Sequence, residues 1–330
     1  MSVRLDAPAT GRTVDEYRRG LLYGVAAYGM WGLFPLFWVL LDPAGALETL
    51  AHRIIWSLVA VLAVLGVAGV VATRRGRRRP SVLAVVRNRR RLLLLGLAAA
   101  IITVNWGTYI WGVANGHVVE TALGYFINPL VTVLAGVLVL RERLRRAQWL
   151  AVALGAVAVL VLTAGYGQPP WIALTLAVSF GGYGLIKKFA AVPAVESLAV
   201  ETLWLVLPAA GFVVFLEATG RGTFTGYGAG HALLLVTGGL ITAVPLLAFG
   251  AAANRIPLSV VGLLQYLAPV LQFLCGVLVF HEHMPPARWF GFALVWLALA
   301  ALTWDGVRAA RRPRPVPATP AAAGPAVTPG

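Results

Sequence analysis

From Gly20 to Trp304 the chain alternates apolar runs of about twenty residues with short polar or charged connections. A run of that length crosses the hydrocarbon of a bilayer as a helix. The pattern predicts ten spans, near residues 20–41, 47–72, 92–115, 118–140, 148–165, 171–189, 197–217, 231–253, 257–280 and 287–305. Residues 1–19 are polar, and the stretch after Asp305 is rich in Pro and Ala without an apolar face, so both ends are expected to be disordered tails. The fold class that follows is an all-α integral membrane protein.

Two of the runs are copies of one another. LGYFINPLVTVLAGVLVLRER (123–143) returns as LLQYLAPVLQFLCGVLVFHEH (263–283), with Leu123/Leu263, Pro129/Pro269, Gly136/Gly276 and Glu142/Glu282 identical. The second and seventh spans are related in the same way, through Glu48/Glu196, Leu50/Leu198, Ala51/Ala199 and Trp56/Trp204. An internal repeat of this kind sets the architecture. It divides the chain into a five-span repeat at 20–167 and a second at 168–305. With the N-terminus inside, all of the 27 Lys and Arg except Arg53, Arg221 and Arg288 fall on the inner side. Both termini are therefore expected in the cytoplasm. Five spans separate the copies, so the second repeat is expected to be inverted relative to the first, a plan that recurs in secondary transporters.

Composition agrees with this picture. The chain is 59% hydrophobic and 12% charged, with mean hydropathy +0.82, outside the range of soluble domains. Its net charge of +15 would suggest nucleic acid in a soluble protein. Here the arginines sit in the connections between spans, where they meet anionic lipid at the cytoplasmic face, and no nucleic-acid partner is expected. The one cysteine, Cys275, lies within an apolar run, so no intramolecular disulfide can form, and it reads as an inert buried thiol. His281-Glu282-His283 lacks the spacing of a helical two-histidine site and reads as a solvated helix end. Neither GxxxxGK[ST] nor GxGxxG is completed at Gly181-Gly182-Tyr183-Gly184, so direct use of ATP is not expected. Those glycines read instead as a place for close helix contact. No metal, cofactor or catalytic set is expected, and the protein is not read as an enzyme.

Ionisable groups inside spans are costly and mark function. Arg53 lies five residues inside Glu48, and its repeat counterpart is Glu201, five residues inside Glu196. Each is expected either to line one mouth of a central cavity, Arg53 attracting anionic groups and Glu201 binding a proton or cation, or to snorkel to the interface or pair locally, Arg53 with Glu48 or Glu120. His52 is one turn from Glu48 and reads mainly as its hydrogen-bond partner, with pH sensing as the alternative. The amides Asn105, Asn128 and Gln265 stand beside Trp106, Tyr125 and Tyr266. Such amides must face the bundle interior, as interhelical bonds or as ligand contacts. With Trp31, Trp56 and Trp204 they suggest an aromatic-walled pathway suited to a small organic solute. Pro129 and Pro269 each remove a backbone donor, which predicts a kink or hinge placed symmetrically in the two halves.

Several of these stretches also carry a family likeness. HRIIWS (52–57), NW (105–106), LGYFINPL (123–130), Glu142 with QWLA (148–151), VPLL…AAA…R (244–255) and QY..P (265–269) resemble RarD proteins. These belong to the EamA branch of the drug/metabolite transporter superfamily. The resemblance implies a ten-helix, five-plus-five permease of the bacterial inner membrane, and the family is associated by name with chloramphenicol sensitivity. The function expected is a secondary transporter for small organic metabolites or drugs, working by alternating access in the export direction, with either proton coupling or facilitated exchange. The alternative is a flippase for lipid-linked or amphipathic substrates. A homodimer is left open.

Overall fold

A computed structural model describes residues 14–74, 81–141 and 143–311. Glu142, residues 75–80 of the first basic connection and the greater part of both tails lie outside these residues. The helices are α1 (Val14–Val39), α2 (Ala46–Arg74), α3 (Val82–Val86), α4 (Arg89–Ala114), α5 (Val118–Leu140), α6 (Arg146–Tyr166) and α7 (Trp171–Ala190). They continue as α8 (Ala194–Ala218), α9 (Gly228–Ala253), α10 (Leu258–Leu264), α11 (Leu267–Leu274), a π-helical turn (Cys275–Val279) and α12 (Pro286–Arg311). Among the described residues there is no strand. Among the described residues nine spans are long and apolar enough to cross a membrane, with Val260–Val279 counted as one. α1, whose first two turns carry Asp15, Glu16, Arg18 and Arg19, is not among them.

Two boundaries differ from the sequence expectation. α1 starts inside the stretch expected to be disordered, because Asp15 and Glu16 occupy its first turn, where acidic side chains complement the helix dipole. α12 likewise runs on past Asp305 to Arg311. The basic connection also contains the short helix α3, capped by Ser81, which accepts a hydrogen bond from the Ala84 amide. Its Val85 is buried with Leu95, Ala190 and Val200.

Packing follows a regular scheme. α1 lies on α9 and α11, α2 on α8 and α9, α4 on α7 and α8, α5 on α7 and α11, and α6 on α12. Several crossings are close enough to need glycine. A Cβ on Gly124 of α5 would stand 2.8 Å from the Ala173 carbonyl oxygen of α7, and one on Gly276 would stand 3.0 Å from the Val119 amide nitrogen. Of the glycine cluster in α7, Gly181 faces Val131 of α5, whereas Gly182 and Gly184 have nothing within 4 Å of that position. The expected close contact therefore rests on Gly181 alone.

The two sequence copies end alike but run differently. Arg141 and His281, at corresponding positions, are both left-handed (φ 55° and 50°). In the first copy the Arg141 amide donates to the Gly136 carbonyl. In the second, the Glu282 amide donates to the Gly276 carbonyl at 2.9 Å. Upstream, α5 passes through Pro129 unbroken, whereas the second copy is divided into α10, α11 and the π turn. The two prolines therefore sit in different settings, Pro129 inside a continuous helix and Pro269 in the first turn of α11. Pro269 offers no N–H to the turn before it, and there the Tyr266 amide turns back to the Leu263 carbonyl at 3.3 Å.

Candidate functional site

Arg53 stands two turns into α2 and is only 5% exposed. Its Nε donates to Thr242 Oγ1 of α9 at 2.9 Å. The guanidinium carbon lies over two indole rings, 4.1 Å from the centroid of Trp106 on α4 and 5.3 Å from that of Trp38 on α1. Cation–π contacts of this kind contribute about 0.5–2 kcal/mol each, most where water is excluded. The Tyr125 and Tyr109 side chains also interact electrostatically with Arg53, and their rings meet edge-on at 5.7 Å. Tyr125 donates to Asn105 Oδ1 at 3.3 Å. Asn105 is fully buried and donates in turn to the Leu176 carbonyl (3.0 Å) and to Ser179 Oγ (2.9 Å) on α7. Helices α1, α2, α4, α5, α7 and α9 thus meet around one cation, and residues from both predicted repeats contribute.

Among the described residues Arg53 has no carboxylate partner. Glu48, one of the two expected, accepts instead from the Thr223 amide at 2.6 Å and from its hydroxyl at 3.0 Å. Glu120, the other, accepts from the Ile172 amide at the start of α7, at 3.0 Å. With Glu48 so engaged, the hydrogen bond expected between it and His52 is not made. His52 stacks on Phe224 at 4.8 Å, and neither of its ring nitrogens has a partner.

Glu201 has the opposite surroundings. It is 2% exposed and pairs with Lys187 Nζ at 2.6 Å. It also accepts from Ser197 Oγ (2.7 Å) and from the Tyr183 hydroxyl (3.0 Å). Of the two arrangements open from sequence, Arg53 is in neither local pair, while Glu201 is locally paired with a lysine.

The remaining expected pathway residues are dispersed. Trp204 is 46% exposed; its ring lies against Gly96 and its Nε1 donates to the Leu92 carbonyl at 3.2 Å, so it straps α8 to α4 at the periphery. Trp31 packs with Tyr28 and Phe249, and its carbonyl accepts from Gln272. Trp56 faces Phe224, and its Nε1 has no partner. Asn128 Oδ1 is buried without a partner next to Gly181. Gln265 and Tyr266 belong to another region. Tyr266 bonds to Thr303 and Gln265 and lines an apolar surface groove of about 460 Å³ with Phe126, Leu263, Trp296 and Thr303. The groove does not include the Arg53 cluster.

Sequence reasoning missed Trp38, Tyr109, Thr242, Lys187 and Tyr183. Tyr109 carried a signal, since it is three residues after Trp106 and so shares its helix face. Trp38 carried none, being one aromatic in an apolar run. The role of Glu282 was also missed. It is not solvated; its carboxylate accepts from the Val118 and Val119 amides (the latter at 3.1 Å) and so caps the N-terminus of α5. Burial pushes its pKa up, while those two amides and Arg288 pull it down. Among the described residues no three His, Cys, Asp or Glu gather as a metal site would require.

Known proteins of similar sequence cover nearly the whole chain. The model of the EamA-like transporter family matches residues 18–164, close to the first predicted repeat. Protein RarD of Streptomyces exfoliatus is 61% identical over 91% of this chain and 93% of its own. Uncharacterized transporter YojE of Bacillus subtilis is 41% identical over 89% of this chain and 96% of its own. One solved crystal structure superposes with a TM-score of 0.55 at 20% identity, covering 88% of this chain and 98% of that one, and shows the fold alone. Identity at this level over nearly the whole length of both chains, on a bundle of apolar spans, identifies a multi-pass membrane transporter that belongs to the RarD family of EamA-like transporters.

Proposed function

We propose that this transporter is a secondary carrier working by alternating access, and that its small organic solute binds at the Arg53 cluster. One observation carries the reading: a buried guanidinium, 5% exposed and lacking a carboxylate, held among aromatic rings from three helices. Intramembrane charges of this kind are expensive and mark transport pathways. The packing scheme supports a five-plus-five arrangement with α1 as the tenth span. Exchanging the halves turns α1 on α9 and α11 into α7 on α4 and α5, and turns α2 on α9 into α8 on α4. The pairs α2/α8, α5/α11 and α6/α12 map onto themselves. Cytoplasmic termini and inversion of the second half rest on the distribution of Lys and Arg.

Export is adopted from the drug/metabolite membership of the family. Proton coupling is assigned to Glu201, the buried carboxylate paired with Lys187, with His52 as a second candidate. The test is flux into proteoliposomes for a panel of small metabolites and drugs, with and without a proton gradient. Arg53→Ala should abolish flux, and Glu201→Gln should leave flux but remove its response to the gradient. If neither variant alters any flux found, the assignment fails. The flippase reading is favoured by the apolar groove beside Tyr266 and Trp296, and movement of a fluorescent lipid in the same vesicles, with no solute flux, would replace the carrier by it.

A further inference from the structure

Three groups around Arg53 that lack a partner can each donate a hydrogen bond. Arg53 makes one hydrogen bond, through Nε to Thr242, so its terminal guanidinium N–H groups have no acceptor among the described residues. The Tyr109 hydroxyl, 3% exposed, is buried without a partner, and so is Nε1 of Trp38, whose ring is one of the two against the guanidinium. Arginine and indole nitrogens can only donate. A buried polar group without a partner costs about 1–3 kcal/mol, so the Tyr109 hydroxyl and the Trp38 indole N–H, around a guanidinium whose terminal N–H groups meet no acceptor, describe a site that lacks its acceptor. The walls are apolar: Phe34 meets Trp38 at 5.7 Å, and the Tyr109 and Tyr125 rings close another side.

We propose that the solute recognised here is an organic anion whose carboxylate takes the free edge of Arg53 and the Tyr109 hydroxyl, with an apolar or aromatic body lying among Trp38, Trp106 and Tyr125. Arginine is suited to this task because its planar fork matches the two oxygens of a carboxylate, and stacking on aromatic faces leaves that edge open. The other buried acidic side chains do not compete. Glu48 and Glu120 are occupied by Thr223 and Ile172, and Glu201 by Lys187. The anion therefore supplies the charge that the fold itself leaves out. The inference rests on the carrier reading only in calling the ligand a transported solute; the binding site stands without it.

The test is ligand-induced thermal stabilisation of the purified full-length protein in detergent, with phenylacetate, its neutral isostere phenylacetamide, and acetate. Phenylacetate should bind roughly tenfold or more tightly than phenylacetamide, as expected for charge-assisted hydrogen bonds. Acetate, lacking the apolar body, should bind weakly. Arg53→Gln should erase the preference for the acid. Tyr109→Phe, which removes a hydroxyl that bonds to no other residue, should reduce it several-fold in a normally folded protein. Equal stabilisation by acid and amide, stabilisation by neither, or a preference that survives Arg53→Gln overturns the proposal. In proteoliposomes the two readings separate. Phenylacetate that binds but does not cross sinks the carrier and leaves the anion site. Flux of neutral solutes without preference for the acid does the reverse.

Discussion

Glu282 shows how far one side chain's surroundings can depart from what its neighbours in sequence suggest. Between two histidines at a helix end it reads as solvated, yet it caps α5 from 163 residues away in the chain. Because burial raises its pKa in the folded protein, the fold binds its proton more tightly than the unfolded chain does. Its contribution to stability is thus complete below the ordinary carboxylate range and is lost as pH rises through the shifted value. Thermal denaturation across that window should show a fall in Tm with rising pH that is absent in Glu282→Gln. Lys187 is the complementary case. Removing it as Lys187→Met leaves the buried Glu201 carboxylate unbalanced, which should cost about 3–5 kcal/mol. Adding Glu201→Gln should restore most of that loss, and a double-mutant cycle by chemical denaturation measures it. At this scale the sequence reveals which charges are buried but not their partners. Arg53 stood out as an intramembrane cation, whereas its contacts with Trp38, Trp106 and Thr242 depend on how four helices come together.

Elements were far more legible, because a twenty-residue apolar run permits little else. Most helices begin and end within a few residues of expectation. Two departures have local causes: the acidic first turn of α1 and the Ser81 cap of α3. Contact distances between elements are set by glycines that look interchangeable in sequence. Gly124→Ala places a methyl group 2.8 Å from a carbonyl oxygen of α7 and should cost about 1–3 kcal/mol. Gly29→Ala in α1 meets nothing within 4 Å and should be neutral or slightly stabilising. Unfolding of the two variants in the same detergent decides whether packing, and not helix propensity, sets the requirement.

For the whole molecule, charge distribution and the repeat were the informative quantities. Exposed arginines gather in the connections, among them Arg87, Arg89, Arg90 and Arg91 before and at the start of α4, and Arg141, Arg143 and Arg146 between α5 and α6. Basic clusters beside a bilayer gain about 1 kcal/mol per residue from anionic headgroups, and the gain is screened by salt. The protein should be more stable in nanodiscs containing phosphatidylglycerol than in purely zwitterionic ones, and the difference should shrink at high ionic strength. Thermal unfolding in the two bilayers measures it.

The divided helix of the second copy has a mechanical consequence. α5 is a single beam, stiffened by Asn105 and Tyr125, which bind α4, α5 and α7 together. Its counterpart stays right-handed helical but leaves the regular α-helical ladder at two joints, the turn at Gln265–Tyr266 and the π-helical stretch Cys275–Val279. Bending loads applied to the bundle concentrate at joints, so the two halves cannot deform equally when the protein changes shape. Amide hydrogen exchange should be faster across 258–280 than across 118–140, despite the identical residues that the two stretches share.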